Sequence, residues 1–224
     1  MIGKLIVIEG LDGSGKATQT ALLCRKLNEC GKKYRKLSFP NYDSPSSALV
    51  KMYLGGEFSH SAGDVNAYAA ASFYSVDRCA SFLKDWKNDY DNGMLFIADR
   101  YSTSNVIYQM SKQSRDEWDS FIEWLDDFEY GKLQVPKPDL VIYLDMSVDV
   151  SQKLLSARYS GDESKKDIHE SNVEFLRQCS ISANFAAKKL GWNVVRCDDG
   201  IAPLKAEDIS ESIFNIVKKE LGIL

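Results

Sequence analysis

The stretch that most limits how this chain can fold lies near its N-terminus. A continuous apolar run, Leu5-Ile-Val-Ile-Glu9, leads into Gly10-Leu-Asp-Gly-Ser-Gly-Lys16 and then into a helical segment at residues 18–30. Strand, glycine-rich turn and helix in that order curl successive backbone N–H groups inward and set the positive end of a helix behind them, which is a built site for phosphate. A glycine, four residues and then Gly-Lys is the spacing that cradles a nucleoside triphosphate. Gly10, Leu11, Asp12, Gly13, Ser14, Gly15, Lys16, Ala17 and Thr18 are therefore the candidate ATP contacts, with Lys16 reaching the β- and γ-phosphate oxygens. One position departs from the pattern. Ala17 stands where a Ser or Thr would ligate magnesium, and Thr18 points about 100° further round the helix. Any Mg2+ is then held through water and by a carboxylate elsewhere.

The rest of the chain alternates in the same rhythm. Strands are expected at 4–8, 35–39, 94–98, 140–144 and 193–196, several of them apolar throughout and suited to burial on both faces. Helices are expected at 18–30, 46–53, 66–87, 103–112, 115–130, 148–158, 171–190 and 206–221, with Gly31, Gly131 and Gly191 as left-handed closing residues. Strands separated by helices pair in parallel through right-handed crossovers. The fold class is α/β: three layers, a five-stranded parallel sheet flanked by helices, in a single domain spanning residues 1–224. Parallel strands present their C-terminal ends on one edge, so Glu9, Phe39, Asp99 and Asp145 should converge on one crevice.

Composition excludes more than it identifies. A hydrophobic content of 44% supports a buried core, and a net charge of −4 argues against a nucleic-acid partner. No stretch approaches the roughly 18 apolar residues of a membrane span, and residues 1–9 read as a folded strand rather than a leader. The five cysteines are scattered without a C-x-x-C pair, as expected of reduced thiols in a cytoplasmic protein.

Three further segments narrow the chemistry: Phe39-Pro-Asn-Tyr42 at a strand end, Tyr74-Ser-Val-Asp-Arg78 on a long helix, and Asp99-Arg-Tyr-Ser-Thr-Ser-Asn105 at another strand end. Together with Ile8-Glu-Gly-Leu-Asp-Gly-Ser-Gly-Lys-Ala-Thr-Gln19 and Pro138-Asp-Leu-Val-Ile-Tyr-Leu-Asp145, they resemble thymidylate kinase in order and spacing from about residue 4 to the C-terminus. The resemblance implies a P-loop nucleoside monophosphate kinase fold with a short lid, here residues 158–170, and transfer of the ATP γ-phosphate to dTMP. It implies that Arg100 holds the acceptor phosphate beside Phe39, Pro40 and Tyr42, although packing explains Tyr42 equally well. It implies that Arg78 donates to a thymine carbonyl, that Tyr74 stacks on the pyrimidine, and that Asn105, with Ser104 nearby, reads the base edge. Tyr108 would press on the sugar, Asp12 would meet its 3′-hydroxyl, and Asp99 would serve Mg2+ directly or through water.

Members of that family carry the transition-state arginine either in the phosphate loop or in the lid. Gly13 occupies the loop position, which leaves Arg158, Lys165 and Lys166, with Arg158 the first choice, and Glu170 as the lid-end acid. The same charged run also reads as a solvated surface loop. His60 and His169 are expected to be loop residues without a catalytic task. The adenine is expected between the helix start near Arg158 and the turn at 197–200. Family members form homodimers, and the helices carrying Trp118 and Trp124 or the small-residue face at 66–87 are the candidate surfaces. Two other functions share these features: phosphorylation of another nucleoside monophosphate or a deoxynucleoside, and a slowly hydrolysing ATP-binding switch.

Overall fold

The computed structural model describes residues 2–59, 61, 63–162, 168–170 and 172–222. Five parallel strands form one sheet: β1 (Lys4–Gly10), β2 (Tyr34–Ser38), β3 (Leu95–Asp99), β4 (Leu140–Asp145) and β5 (Asn193–Arg196), in the order β2-β3-β1-β4-β5. Residues alternate between its faces as the pleat requires. Ile6, Ile8, Ile142 and Leu144 pack beneath α1 (Lys16–Glu29) and α9 (Ala206–Leu221), while Leu5, Val7, Phe96 and Ala98 pack with Phe39, Phe82 and Trp86. A third cluster joins Tyr143 to α3 (Ala67–Ser81), α5 (Thr103–Tyr108), α6 (Trp118–Asp126) and α8 (Val173–Leu190). The remaining helices are α2 (Ala48–Leu54), α4 (Lys87–Asp91) and α7 (Val148–Arg158). Among the described residues no helix is long and apolar enough to cross a membrane.

Side-chain caps explain several starts. Asn66 accepts from the Ala69 N–H and opens α3, and Asn172 accepts from the Phe175 N–H and opens α8. Gly31 (φ 68°) and Gly191 (φ 67°) close α1 and α8 in the left-handed region. Gly131 does not close a helix that way. It lies inside a π-helical turn, Asp127–Lys132, that continues α6. A second π-turn, Phe82–Trp86, joins α3 to α4 where one unbroken helix was expected. Residues 109–117, expected to prolong α5 and open α6, hold short 3-10 turns instead, Met110–Lys112 and Arg115–Glu117.

The register sets the site. Asp99 stands level with Ile8 on one side and Ser38 on the other, and Gly10 stands level with Leu144. Four chain exits therefore lie side by side along the C-terminal edge of the sheet.

Candidate active site

The phosphate loop runs between Gly10, the end of β1, and Lys16, the first residue of α1. Gly13 has φ 80°, and a Cβ there would sit 2.5 Å from the Ser151 carbonyl oxygen of α7. No side chain fits that position without moving α7. Lys16 is buried, and its Nζ donates to the Leu11 carbonyl at 2.8 Å. Burial and the neighbouring Arg100 lower its pKa to about 8, against the pull of Asp12, Asp99 and Glu9.

A cavity of about 430 Å3 opens over the loop. Asp12, Gly13, Gly15, Lys16, Ala17 and Thr18 line one side, Asp99 and Arg100 another, and Leu154, Leu155 and Arg158 of α7 the third. Gly10, Leu11 and Ser14 lie beneath it; Leu11 and Ser14 are buried. Arg158 is the last residue of α7, not near a helix start, and is exposed without an ion pair among the described residues. The turn at 197–200 lines neither this cavity nor its neighbour. Asp198 there accepts from the Ser147 and Gly200 N–H groups.

The neighbouring cavity is tighter, about 80 Å3, and collects every residue that the sequence pointed to for an acceptor. Asp12, Phe39, Pro40, Tyr42 and Arg100 line it at the end shared with the first cavity, and Tyr74, Arg78, Ser104, Asn105 and Tyr108 line the rest. Tyr42 is 50% exposed and borders both cavities. Of the four strand-end residues expected to converge, Phe39 and Asp99 reach these cavities. Glu9 lies behind them, and Asp145 lines neither.

Arg100 sits where the two cavities meet. Its backbone is left-handed (φ 65°), a conformation that costs a non-glycine residue of order 1–3 kcal/mol and that concentrates at functional sites. The guanidinium donates to Asp12 Oδ1, to the Gly10 carbonyl at 3.3 Å and to the Tyr108 hydroxyl at 3.3 Å, and lies 5.2 Å above the Tyr108 ring. Burial works against its charge, but Asp12, Tyr108 and Glu9 hold its pKa well above the ordinary value. Asp12 also accepts from Tyr108 at 2.8 Å. Burial pushes its carboxyl up, yet Arg100 and Lys16 prevail and bring it down to about 2. Beneath the strand-end loop, the fully buried Glu9 accepts from the Tyr101 N–H (3.2 Å), Thr103 Oγ1 (2.7 Å) and Ser104 Oγ (2.9 Å). Burial raises its pKa. Glu9 thus fixes the segment that carries Arg100.

The Arg78 end of the tighter cavity holds a partner that the sequence did not disclose. Arg78 is 2% exposed and makes a forked pair with Glu129, Nε donating to Oε2 at 2.9 Å and Nη2 to Oε1. Glu129 also accepts from Ser75 Oγ at 2.8 Å and Asn105 Nδ2 at 3.2 Å. It comes from the π-turn that follows α6, where Asp126-Asp127-Phe-Glu129 falls within the helix expected at 115–130. Asp77, next to Arg78 in sequence, accepts instead from Asn41 N–H and Ser46 Oγ.

The lid reading divides. Lys165 and Lys166 lie outside the described residues, as does His60. Glu170 and His169 do not belong to a solvated surface loop, since both are buried. Glu170 accepts from the Tyr159 hydroxyl at 3.0 Å. His169 lines the tighter cavity, its ring stacked on Tyr108 with centroids 5.4 Å apart and planes 12° apart. Burial, reinforced by Lys112, lowers its pKa to about 3, so the imidazole is neutral near pH 7. Among the described residues no group of three or more His, Cys, Asp or Glu side chains is placed to hold a metal.

Comparison with known proteins agrees with this geometry. The family model described as thymidylate kinase matches residues 8–207. The thymidylate kinase of Mycobacterium tuberculosis is 29% identical over 201 residues, covering 87% of this chain and 92% of its own. That of Danio rerio is 23% identical over 223 residues, covering 97% and 94%. In fold, the solved thymidylate kinase of Candida albicans superposes with a TM-score of 0.71 at 22% identity, covering 97% of this chain and 92% of its own.

Proposed function

The chain belongs to the thymidylate kinase family and transfers the γ-phosphate of ATP to dTMP, and from that premise we propose how its residues divide the work. The observation that carries the assignment is the shared wall of the two cavities. Donor and acceptor phosphates brought to Asp12, Phe39, Pro40, Tyr42 and Arg100 from opposite sides would meet at the Arg100 guanidinium.

ATP occupies the larger cavity, with Lys16 turning from the Leu11 carbonyl to the phosphates. The acceptor phosphate takes the planar fork of Arg100, assisted by Tyr42. Thymine lies between Tyr74 and the Arg78–Glu129 pair, where Arg78 donates to a carbonyl and Asn105 reads the base edge beside Ser104. Tyr108 backs the sugar, and Asp12 meets its 3′-hydroxyl. In phosphoryl transfer little covalent work falls to the protein, so positioning and charge stabilisation suffice. The acceptor oxygen is already ionised, and no general base is required. The neutral His169 is consistent with this. Arg158, at the end of α7, supplies charge to the moving phosphoryl group; Lys165 and Lys166 remain the alternative cations.

The donor set fits Mg2+ held by one carboxylate, because this ion keeps several waters and takes substrate phosphate oxygens rather than an all-protein cage. Asp99 lines the larger cavity and would hold it, Ala17 offering no side-chain oxygen. When bound, Mg2+ neutralises phosphate charge. The whole chain acts as one catalytic domain. A cytoplasmic homodimer is the form that the family resemblance favours, and Tyr68, Val76 and Leu83 expose apolar surface along α3 and its π-turn.

Steady-state ATP consumption tests the assignment. Turnover should depend on dTMP and exceed that with other monophosphates or with thymidine. Arg100→Ala should raise the acceptor KM by at least about tenfold, the loss of one charge-assisted contact. Hydrolysis independent of any acceptor would replace this reading with an ATP-driven switch.

A further inference from the structure

A third cavity, of about 350 Å3, lies between α6, the C-terminal end of α8 and the first residues of β4 and β5, and shares no described residue with the other two. That volume falls within the roughly 300–1,000 Å3 typical of small-molecule sites. Val106, Ile122, Leu125 and Val141 give it an apolar wall, and Trp192 gives it a polar point. Gly191 closes α8 in the left-handed region, and the Trp192 backbone N–H then donates to the Ala187 carbonyl at 2.9 Å, a turn that holds the indole in the cavity wall. The residue is 9% exposed, yet among the described residues its indole N–H has no acceptor. A buried indole N–H ordinarily finds one, and it can only donate. The carboxamide of Asn193, on the same wall, is also without a partner among the described residues. Charge on this wall is balanced. Asp126 is paired with Lys137, Asp139 with Lys4 at 2.6 Å and Glu220 with Lys219 at 3.2 Å.

We propose that this cavity is a second small-molecule site, taking an uncharged aromatic amide or a similar planar carbonyl compound, and that its occupant strengthens acceptor binding. The ring lies on the apolar wall, the carbonyl accepts from the Trp192 indole, and the amide N–H donates to the Asn193 carboxamide. An ion would give up its hydration without an unpaired charge to meet it. Two side chains of the same wall connect it to the acceptor cavity. Thr103 Oγ1 donates to Glu9 Oε1 at 2.7 Å, and the Tyr130 hydroxyl meets Ser102 Oγ. These bonds anchor the segment that directly follows Arg100, and Tyr130 itself follows Glu129, the partner of Arg78. A molecule that binds the cavity as it is formed here favours the conformation in which both arginines line the acceptor cavity. By linkage the two ligands then strengthen each other. The effect on the acceptor rests on the reading of the tighter cavity as the dTMP site; the ligand site itself does not.

Benzamide is the probe, with benzoate and benzylamine as its charged counterparts. The chain has four tryptophans, and Trp192→Phe identifies the Trp192 indole signal in 15N spectra. Benzamide should shift that signal saturably with a Kd on the order of 1 mM, the scale for so small a ligand. Saturation-transfer spectra of benzamide itself should show binding about fivefold weaker in Trp192→Phe and in Asn193→Ala. Neither ion should bind at the same concentration. Saturating benzamide should also lower the calorimetric Kd of dTMP at least about threefold. A Trp192 signal that stays fixed up to about 10 mM benzamide would overturn the site. Binding as tight for either ion, or unchanged in both variants, would overturn the ligand class. A shifted signal with an unchanged dTMP Kd would overturn the link to the acceptor alone. Failure of dTMP to bind even without benzamide would overturn the dTMP reading and that link together, while the Trp192 shift still decides the site. Should Trp192→Phe fail to fold, Asn193→Ala decides by the same weakening.

Discussion

Two charges buried against each other, Arg78 and Glu129, make the costliest single arrangement in the site. Taking both ions out of water carries a desolvation penalty of several kcal/mol each, and the fork, with Ser75 and Asn105 completing it, offsets that penalty. Such a pair contributes little net stability compared with apolar residues of the same volume, but it becomes expensive when halved. Glu129→Ala should therefore lower unfolding free energy in urea by about 3–5 kcal/mol, because Arg78 remains charged and unpaired. Arg78→Met together with Glu129→Leu should recover most of that loss. If the pair served packing alone, dTMP affinity would recover with it. If Arg78 meets the base, the double variant is stable and still binds dTMP poorly, since no guanidinium is left to donate. Calorimetric titration of dTMP into both variants separates the two cases.

At the scale of elements, α7 meets the phosphate loop at Gly13 and carries Arg158, the cation proposed for the transition state. The Ser151 carbonyl of this helix closes the space beside Gly13, so the phosphate loop has no room for a long cationic side chain. The same helix ends on Arg158, facing the same cavity. One element thus excludes the loop position and offers a replacement. Arg158→Ala should lower kcat by on the order of 10³-fold, the scale of a supplied arginine, while the acceptor KM changes far less. A kcat within about threefold of wild type would move the role to Lys165 or Lys166. The bounds of α7 and β5 were legible in the sequence, and the other strands were placed to within two residues, because apolar runs and 3.6-residue spacing survive in them. Glu129 was not legible, because a π-turn abandons that spacing and turns an acidic run inward. His169 was hidden for a related reason: its neighbours in Asp-Glu-Ser-Lys-Lys-Asp-Ile-His-Glu are charged, yet the ring is carried down onto Tyr108. The residues assigned to an acceptor came from the resemblance to thymidylate kinase, and the structure gathers them around one cavity.

At the scale of the whole molecule, a chain of net charge −4 must bind substrates that are themselves anionic. Two fields compete for the approaching phosphate. The summed charge of the chain repels it weakly over long distance. Against this, among the described residues Lys16, Arg78, Arg100 and Arg158 line the two cavities opposite only Asp12 and Asp99, with Glu9 and Glu129 set behind and engaged in hydrogen bonds. Focusing by low-dielectric walls favours the nearer charges. Salt distinguishes the two by sign. The Debye length falls from about 10 Å at 0.1 M to about 3 Å at 1 M, so added salt screens whichever field dominates. If the cavity cations dominate, the Kd of dTMP, measured calorimetrically without ATP or Mg2+, should rise about fivefold between roughly 0.05 and 0.5 M KCl. A Kd that falls over this range would mean that the overall negative charge governs binding, and that the arginines act only after the acceptor is seated. Thymidine serves as the control in the same titration. It lacks the phosphate, so its affinity should be flat in salt under either outcome.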